Sequence, residues 1–190
     1  MSQLDPYADL TNHFLIAMPA LADPNFHHTV TYICDHNPEG AMGLVINRPL
    51  EMGMGELFRY LNINDYDISL DDQPVFQGGP VQIERGFVLH KPFGKWEASI
   101  EVSQNIILTM SQDIIEAIAH GNGPEQYMIT LGYAGWGKGQ LEQELGSNAW
   151  LNGPADSAVI FETSIEQRWN ASAALLGVDI NQVSNDIGHA

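Results

Sequence analysis

Basic residues are scarce. Seven Lys and Arg face twenty-four Asp and Glu, a formal charge of −17 over 190 residues. Direct nucleic-acid binding runs on phosphate neutralisation by Lys and Arg, and no basic cluster is present to supply it. Cysteine is almost absent as well. The single Cys34 excludes an intrachain disulfide. With the polar, acidic stretch from Met1 to Asp9, which has the wrong chemistry for a secretory leader, this points to the cytoplasm. No apolar run approaches the about 20 residues that a membrane helix needs. Nor does the chain contain a Ser-centred nucleophile elbow, an internal repeat or a low-complexity linker. Hydrophobic residues nonetheless make up 44% of the chain. That is enough for a proper core and argues against wholesale disorder. The acidity itself suits solubility, or a basic protein partner.

Apolar runs and turn chemistry organise what is there. Strands are expected in "HFLIAMPAL" (His13–Leu21, turning at Pro19), "TVTYIC" (Thr29–Cys34) and "MGLVIN" (Met42–Asn47). The last two flank "DHNPEGA" and read as an antiparallel hairpin. A short helix over Gly55–Ile63 would gather Leu57, Tyr60 and Leu61 near one face, and "INDYDISLDDQ" reads as an acidic loop. Further strands follow in "PVFQGGP" and "ERGFVLH", around a Gly-Gly-Pro corner, then in "WEASIEVS" and "NIILTM". "SQDIIEAIAHG" carries helix punctuation: Ser111 as N-cap, Asp113 in the first turn and Gly121 just past the end. "QYMITLGY" has the long apolar run of a central strand. "GQLEQELG" reads as a helix, "SAVIF" as a strand, and Ser164–Gly177 as a final helix. Strands cluster early without regular β-α-β alternation, which predicts an α+β fold with a mostly antiparallel sheet. One domain is expected, with a polar lead-in over about residues 1–12 and a mobile tail over about 178–190.

Three constellations carry possible chemistry. Cys34 lies two residues before His36. On a continuing strand both would point to one side, and the imidazole could activate the thiol. Against this, Asp35 would raise the thiol pKa, turn residues begin at Asp35, and no third group is in view to orient His36. The plainer reading is a small hydrophobe ending a buried strand. Second, His27, His28, Cys34 and His36 fall within ten residues, but their spacing matches no zinc pattern, and adjacent histidines on a strand would point apart. No residue is assigned to a metal. Third, "GYAGWGKG" (Gly132–Gly139) gives seven positions of a phosphate-binding loop, with Gly139 where a Ser or Thr should ligate magnesium. It reads more plainly as a glycine-rich strand-to-helix turn packing Trp136. Glu142 and Glu144 read as a solvated helix face, and Trp136, Trp150 and Tyr133 as core or pocket wall.

Four segments taken together resemble one family. They are "YICDHNPEGAMGLVINRP" (Tyr32–Pro49), "GGPVQIERGFVLH" (Gly78–His90), "LGYAGWGKGQLEQELGSNAWL" (Leu131–Leu151) and "FETSIEQRWNASAALLG" (Phe161–Gly177). They resemble the YqgE/AlgH family, also called the UPF0301 or DUF179 proteins, in the expected order and over nearly the whole chain. The resemblance implies an α+β fold whose bent sheet closes into a barrel-like shape with helices outside. Family members are often labelled transcriptional regulators, by association with alginate control, and no agreed catalytic residue carries over. The family pattern includes Cys34 and His36 but not the His27–His28 pair. The candidate reactive thiol and its neighbour are therefore Cys34 and His36. Candidate pocket or turn residues are Asn37, Gly40, Asn47, Arg48, Gly78, Gly79, Gly135 and Trp136. The expectation is a non-catalytic cytoplasmic protein with no cofactor, working through a protein partner or small ligand, with a thiol-based sensor as the alternative.

Overall fold

A computed structural model describes residues 8–186. Ten strands form one curled sheet: β1 (His13–Ala17), β2 (Val30–Asn37), β3 (Gly40–Val45), β4 (Pro49–Gly53), β5 (Pro74–Gln77), β6 (Val81–His90), β7 (Ser99–Ser103), β8 (Ile106–Thr109), β9 (Tyr127–Gly137) and β10 (Trp150–Pro154). The hydrogen-bonded path runs β10-β1-β2-β3-β9-β6-β8-β7, with β5 against β9 and β4 against β5. Every pairing is antiparallel except β5 on β9. The sheet curls into a half-barrel, so the fold is α+β as expected.

β9 is the centre. It pairs with β3 through Ala134–Gly137, with β5 at Thr130 and Leu131, and with β6 between Tyr127 and Tyr133. Its apolar run fits that position, because both faces are covered. Alternate residues sort into different cores: Met128 joins one cluster and Ile129 another. β1 does the same, sending Phe14 and Ile16 one way and Leu15 and Ala17 the other. That double burial explains why β1 shows no polar alternation.

Among the described residues, six short helices cover the sheet. α1 (Met54–Tyr60) and α2 (Gln112–Ala119) bury Leu57, Phe58, Ile114, Ile115 and Ile118 against β5, β6 and β9. α3 (Gln140–Gly146) seats Leu141 with Trp136 and Trp150. α4 (Ser157–Phe161), α5 (Arg168–Ala174) and α6 (Ile180–Asp186) bring Val159, Ile160, Ala173 and Ile180 to the cluster that holds Phe14, Tyr32 and Phe87. Arg168 ties α5 to the sheet. Its guanidinium donates to the Ile46 carbonyl at 2.6 Å and to the Thr163 carbonyl at 3.1 Å, and lies 5.2 Å over the Phe76 ring. α2 ends as its sequence predicts, with Gly121 at φ 77°.

Several expectations need correction. "SAVIF" is the helix α4, not a strand, because Asp156 accepts from the Ala158 N–H and starts a helical turn despite the β-branched residues. The Ser164–Gly177 helix divides into a 3-10 turn (Ile165–Gln167) followed by α5. The expected tail from about residue 178 contains α6, anchored by the buried Ile180; residues 187–190 lie outside the described residues, as do residues 1–7 of the lead-in. Leu10, in that lead-in, is buried. Strands β4 and β10 were not expected at all. Tyr60 points outward and Phe58 takes the buried place on α1. His27 and His28 do not diverge: their rings stack at 3.8 Å, since His28 sits at φ 57° in a turn rather than on a strand, and His28 also stacks on Trp169. The "GYAGWGKG" stretch is strand as far as Gly137, so only Lys138 and Gly139 make the turn into α3.

Candidate functional site

The β2–β3 hairpin forms as predicted, with Thr31 opposite Val45 and Asn37 opposite Gly40. β2 runs past Asp35, so the turn begins later than expected. The register slips between Ile33, opposite Gly43, and Asp35, opposite Met42, which leaves Cys34 as the extra residue of a β-bulge. An extra residue inverts the alternation after it. Cys34 therefore keeps company with Val30 and Tyr32, while His36 turns to the opposite face with Ile33. The two side chains that local spacing would bring together are separated by the sheet.

Cys34 is 2% exposed. Its Sγ approaches only the Tyr32 carbonyl, at 3.7 Å, among its hydrogen-bond partners. Burial pushes the thiol well above its usual range, and the Asp35 charge adds to the effect. Both causes oppose a thiolate.

His36 has found another role. The Leu10 N–H donates to its Nδ1 at 3.0 Å, which fixes the proton on Nε2. That Nε2–H donates to Glu142 Oε1 at 2.7 Å, across 106 residues of sequence. Glu142 is held below the usual carboxylate range, first by its own backbone N–H and then by His36. Glu144, on the same helix, accepts from the indole N–H groups of Trp136 (2.9 Å) and Trp150 (3.2 Å). The expectation of a solvated face for Glu142 and Glu144 is thus replaced. They clamp α3 to β2, β9 and β10. No local signal could have revealed a partner for Glu142 that lies 106 residues away, while those of Glu144 are near in sequence but on separate strands.

The remaining candidates divide by position. Asn47 and Arg48 brace the His27–His28 turn: Asn47 accepts from the Val30 N–H and donates to the His28 carbonyl, and Arg48 donates to the His27 carbonyl. Gly78 and Gly79 carry the chain across β9, where a Cβ on Gly78 would lie 2.4 Å from the Gly132 carbonyl oxygen. Asn37, Gly40, Gly135 and Trp136 come together. They line an open concavity of about 740 Å3 with Met42, Phe87, Met110, Tyr133 and Ile100, rimmed by Asp35 and Glu39. Gly40 is required there, because at φ 146° its Cβ would collide with the Trp136 carbonyl oxygen. Arg85 is the cation on this wall, placed 5.3 Å over the Phe87 ring and bonded to Gln82. The floor is apolar and aromatic and the rim polar, an arrangement suited to binding rather than to proton transfer. Among the described residues, no group of three or more His, Cys, Asp or Glu is placed to hold a metal ion. No helix among them is long and apolar enough to cross a membrane.

The AlgH-like family model matches residues 14–181. The chain belongs to that family. A UPF0301 protein of Nitrosococcus oceani is 55% identical, over 94% of this chain and 96% of its own length. Another, of Thioalkalivibrio sulfidiphilus, is 52% identical over 96% and 98%. The solution structure of AlgH from Pseudomonas aeruginosa is similar with a TM-score of 0.80 and 46% identity, covering both chains fully. A Corynebacterium diphtheriae protein at 16% identity and a TM-score of 0.73 shares the fold, covering 94% of this chain and 93% of its own. In this AlgH-like chain the hairpin and glycine-rich strand through which the family was legible pair with each other and form one continuous wall of the concavity, which Phe87 of β6 and Ile100 of β7 also line.

Proposed function

We propose that this AlgH-like chain is a non-catalytic cytoplasmic regulator. It acts by binding a protein partner or small ligand in the concavity lined by the β2–β3 hairpin, the end of β9 and β6. The observation that carries this reading is the convergence of Asn37, Gly40, Gly135 and Trp136, from segments about 100 residues apart, on one apolar-floored space. The formal charge of −17 supports a route other than direct contact with duplex DNA. A thiol sensor at Cys34 has burial and Asp35 against it.

Site-specific photo-crosslinking tests the reading. A benzoylphenylalanine at Glu39, on the exposed rim, is expected to trap a discrete adduct in living cells, and one at the exposed Ile68, which lies outside the concavity, is not. Equal trapping at both positions, or a trapped adduct at Ile68 alone, contradicts it. So would appreciable binding of duplex DNA by the purified chain at physiological salt, falling steeply as salt is added.

A further inference from the structure

A second cavity lies on the other side of β6 from that concavity, and Met110 is the one residue that lines both. The way β6 departs from β9 creates it. Val81 is opposite Tyr133 and the next paired residue is Gly86, opposite Leu131, so residues 82–85 swing away from the sheet with Gln82 at φ 47°. Where the chain returns, Gly86 contributes no side chain to the floor. α1 and α2 stand on either side. The result is a cavity of about 400 Å3 walled by Leu57, Leu61, Ile115 and Leu131, with Tyr60 and Ile83 as its lips. The lips are 70% and 60% exposed, which is unusual for an apolar and an aromatic side chain that face the same space.

We propose that this cavity binds a neutral, largely apolar small molecule. Its volume falls in the range of small-ligand sites, about 300–1,000 Å3, and its walls are the aliphatic kind such sites use. The charge of the wall excludes an anionic headgroup. Glu84 is the charged residue lining the cavity, and it stands in a chain of net charge −17. Two of the polar side chains on the wall are already engaged. Ser111 accepts from the Ala98 N–H and donates to Asp113, and Gln112 donates to Glu116. Recognition therefore rests on apolar area, with the ligand covering side chains that the fold leaves half in water.

The test uses two matched fluorescent probes, N-phenyl-1-naphthylamine and its 8-sulfonate. The neutral amine is expected to bind saturably in the micromolar range, and the sulfonate at least about tenfold more weakly. Gly86→Leu should fill the floor. A Cβ there meets only the flexible Cδ1 of Ile115, at 3.3 Å. Ile83→Glu, at an exposed lip, cannot disturb the core and should place a carboxylate at the mouth. Each is expected to raise the Kd of the neutral probe by about tenfold or more, with the melting temperature little changed. Gly135→Arg, in the other concavity, should leave probe binding as it was whatever that concavity does. The proposal is overturned by absence of saturable binding, by equal affinity for the two probes, or by unchanged affinity in both variants. A Kd that rises with protein concentration would mean that a second copy occupies the cavity, and would overturn it as well.

Discussion

Replacing His36 by alanine should cost far more than replacing its partner Glu142. The His36 side chain is 1% exposed, and its Nδ1 is the acceptor for the Leu10 N–H inside the fold. Removing it strands a buried donor, at about 1–3 kcal/mol. The lost packing of the ring adds about 1 kcal/mol, so His36→Ala should lose about 2–4 kcal/mol. The Glu142 carboxylate is 35% exposed, so water replaces much of what His36 supplies to it. With that screening, Glu142→Ala should lose about 0.5–1 kcal/mol, and the coupling in a double-mutant cycle should be of the same size. The coupling also has a predictable pH window. Because the Glu142 carboxyl is held low, its contribution is complete above the ordinary glutamate value of about 4.3 and is lost as pH falls through the lowered one. Urea unfolding followed by tryptophan fluorescence measures all four corners of the cycle, since Trp136 and Trp150 both donate to Glu144, on the same helix as Glu142. Equal losses for the two single variants would mean that the buried Leu10 N–H does not depend on His36.

Iodoacetamide should alkylate Cys34 slowly in the native state and at pH 6 more slowly than at pH 9; equal rates would mean a thiolate already formed. Cys34→Ser should lose about 1–3 kcal/mol in urea unfolding, by placing a hydroxyl among Val30, Tyr32 and their neighbours. Stability should also fall as pH drops below about 6.5. His90 is buried, and burial lowers its pKa, so the unfolded chain takes up the proton first; the stability is complete above the unfolded value and lost below it. His28 shifts in the same direction, by burial first and then by the His27 charge, and His90→Gln should flatten melting curves recorded between pH 7 and 5 only in part. Calorimetry with magnesium and ATP should show no saturable micromolar binding, because Gly132–Gly137 is strand and no hydroxyl stands at Gly139.

Elements with strong local signals were legible in the sequence. The β2–β3 hairpin follows from two apolar runs around Asn-Pro-Glu-Gly, and α2 from the Asp113 and Gly121 punctuation. Elements held by tertiary context were not. β10 starts at Trp150 and contains Gly153 and Pro154, poor strand formers, and exists because β1 offers an edge. α4 overrides its β-branched residues through one cap. The site shows the same division. Asn37, Gly40, Gly135 and Trp136 were named from the turn and glycine patterns and do meet. The separation of Cys34 from His36 depends on a single bulged residue, which no spacing rule foretells. Glu142 and Glu144 looked like any charged helix face, since their partners arrive from β2, β9 and β10 only when the sheet curls.

We propose that regulation runs through the concavity and not through the thiol. Gly135→Arg occludes the concavity from an exposed position whose Cβ meets only the Tyr133 ring, at 3.3 Å, so the fold should survive it. Cys34→Ala removes the sulfur. In a strain deleted for the gene, transcript profiles of cells complemented with each variant compare the two directly. Cys34→Ala is expected to restore the wild-type profile and Gly135→Arg to reproduce the deletion. Restoration by Gly135→Arg together with failure of Cys34→Ala, both accumulating as folded protein, would contradict it.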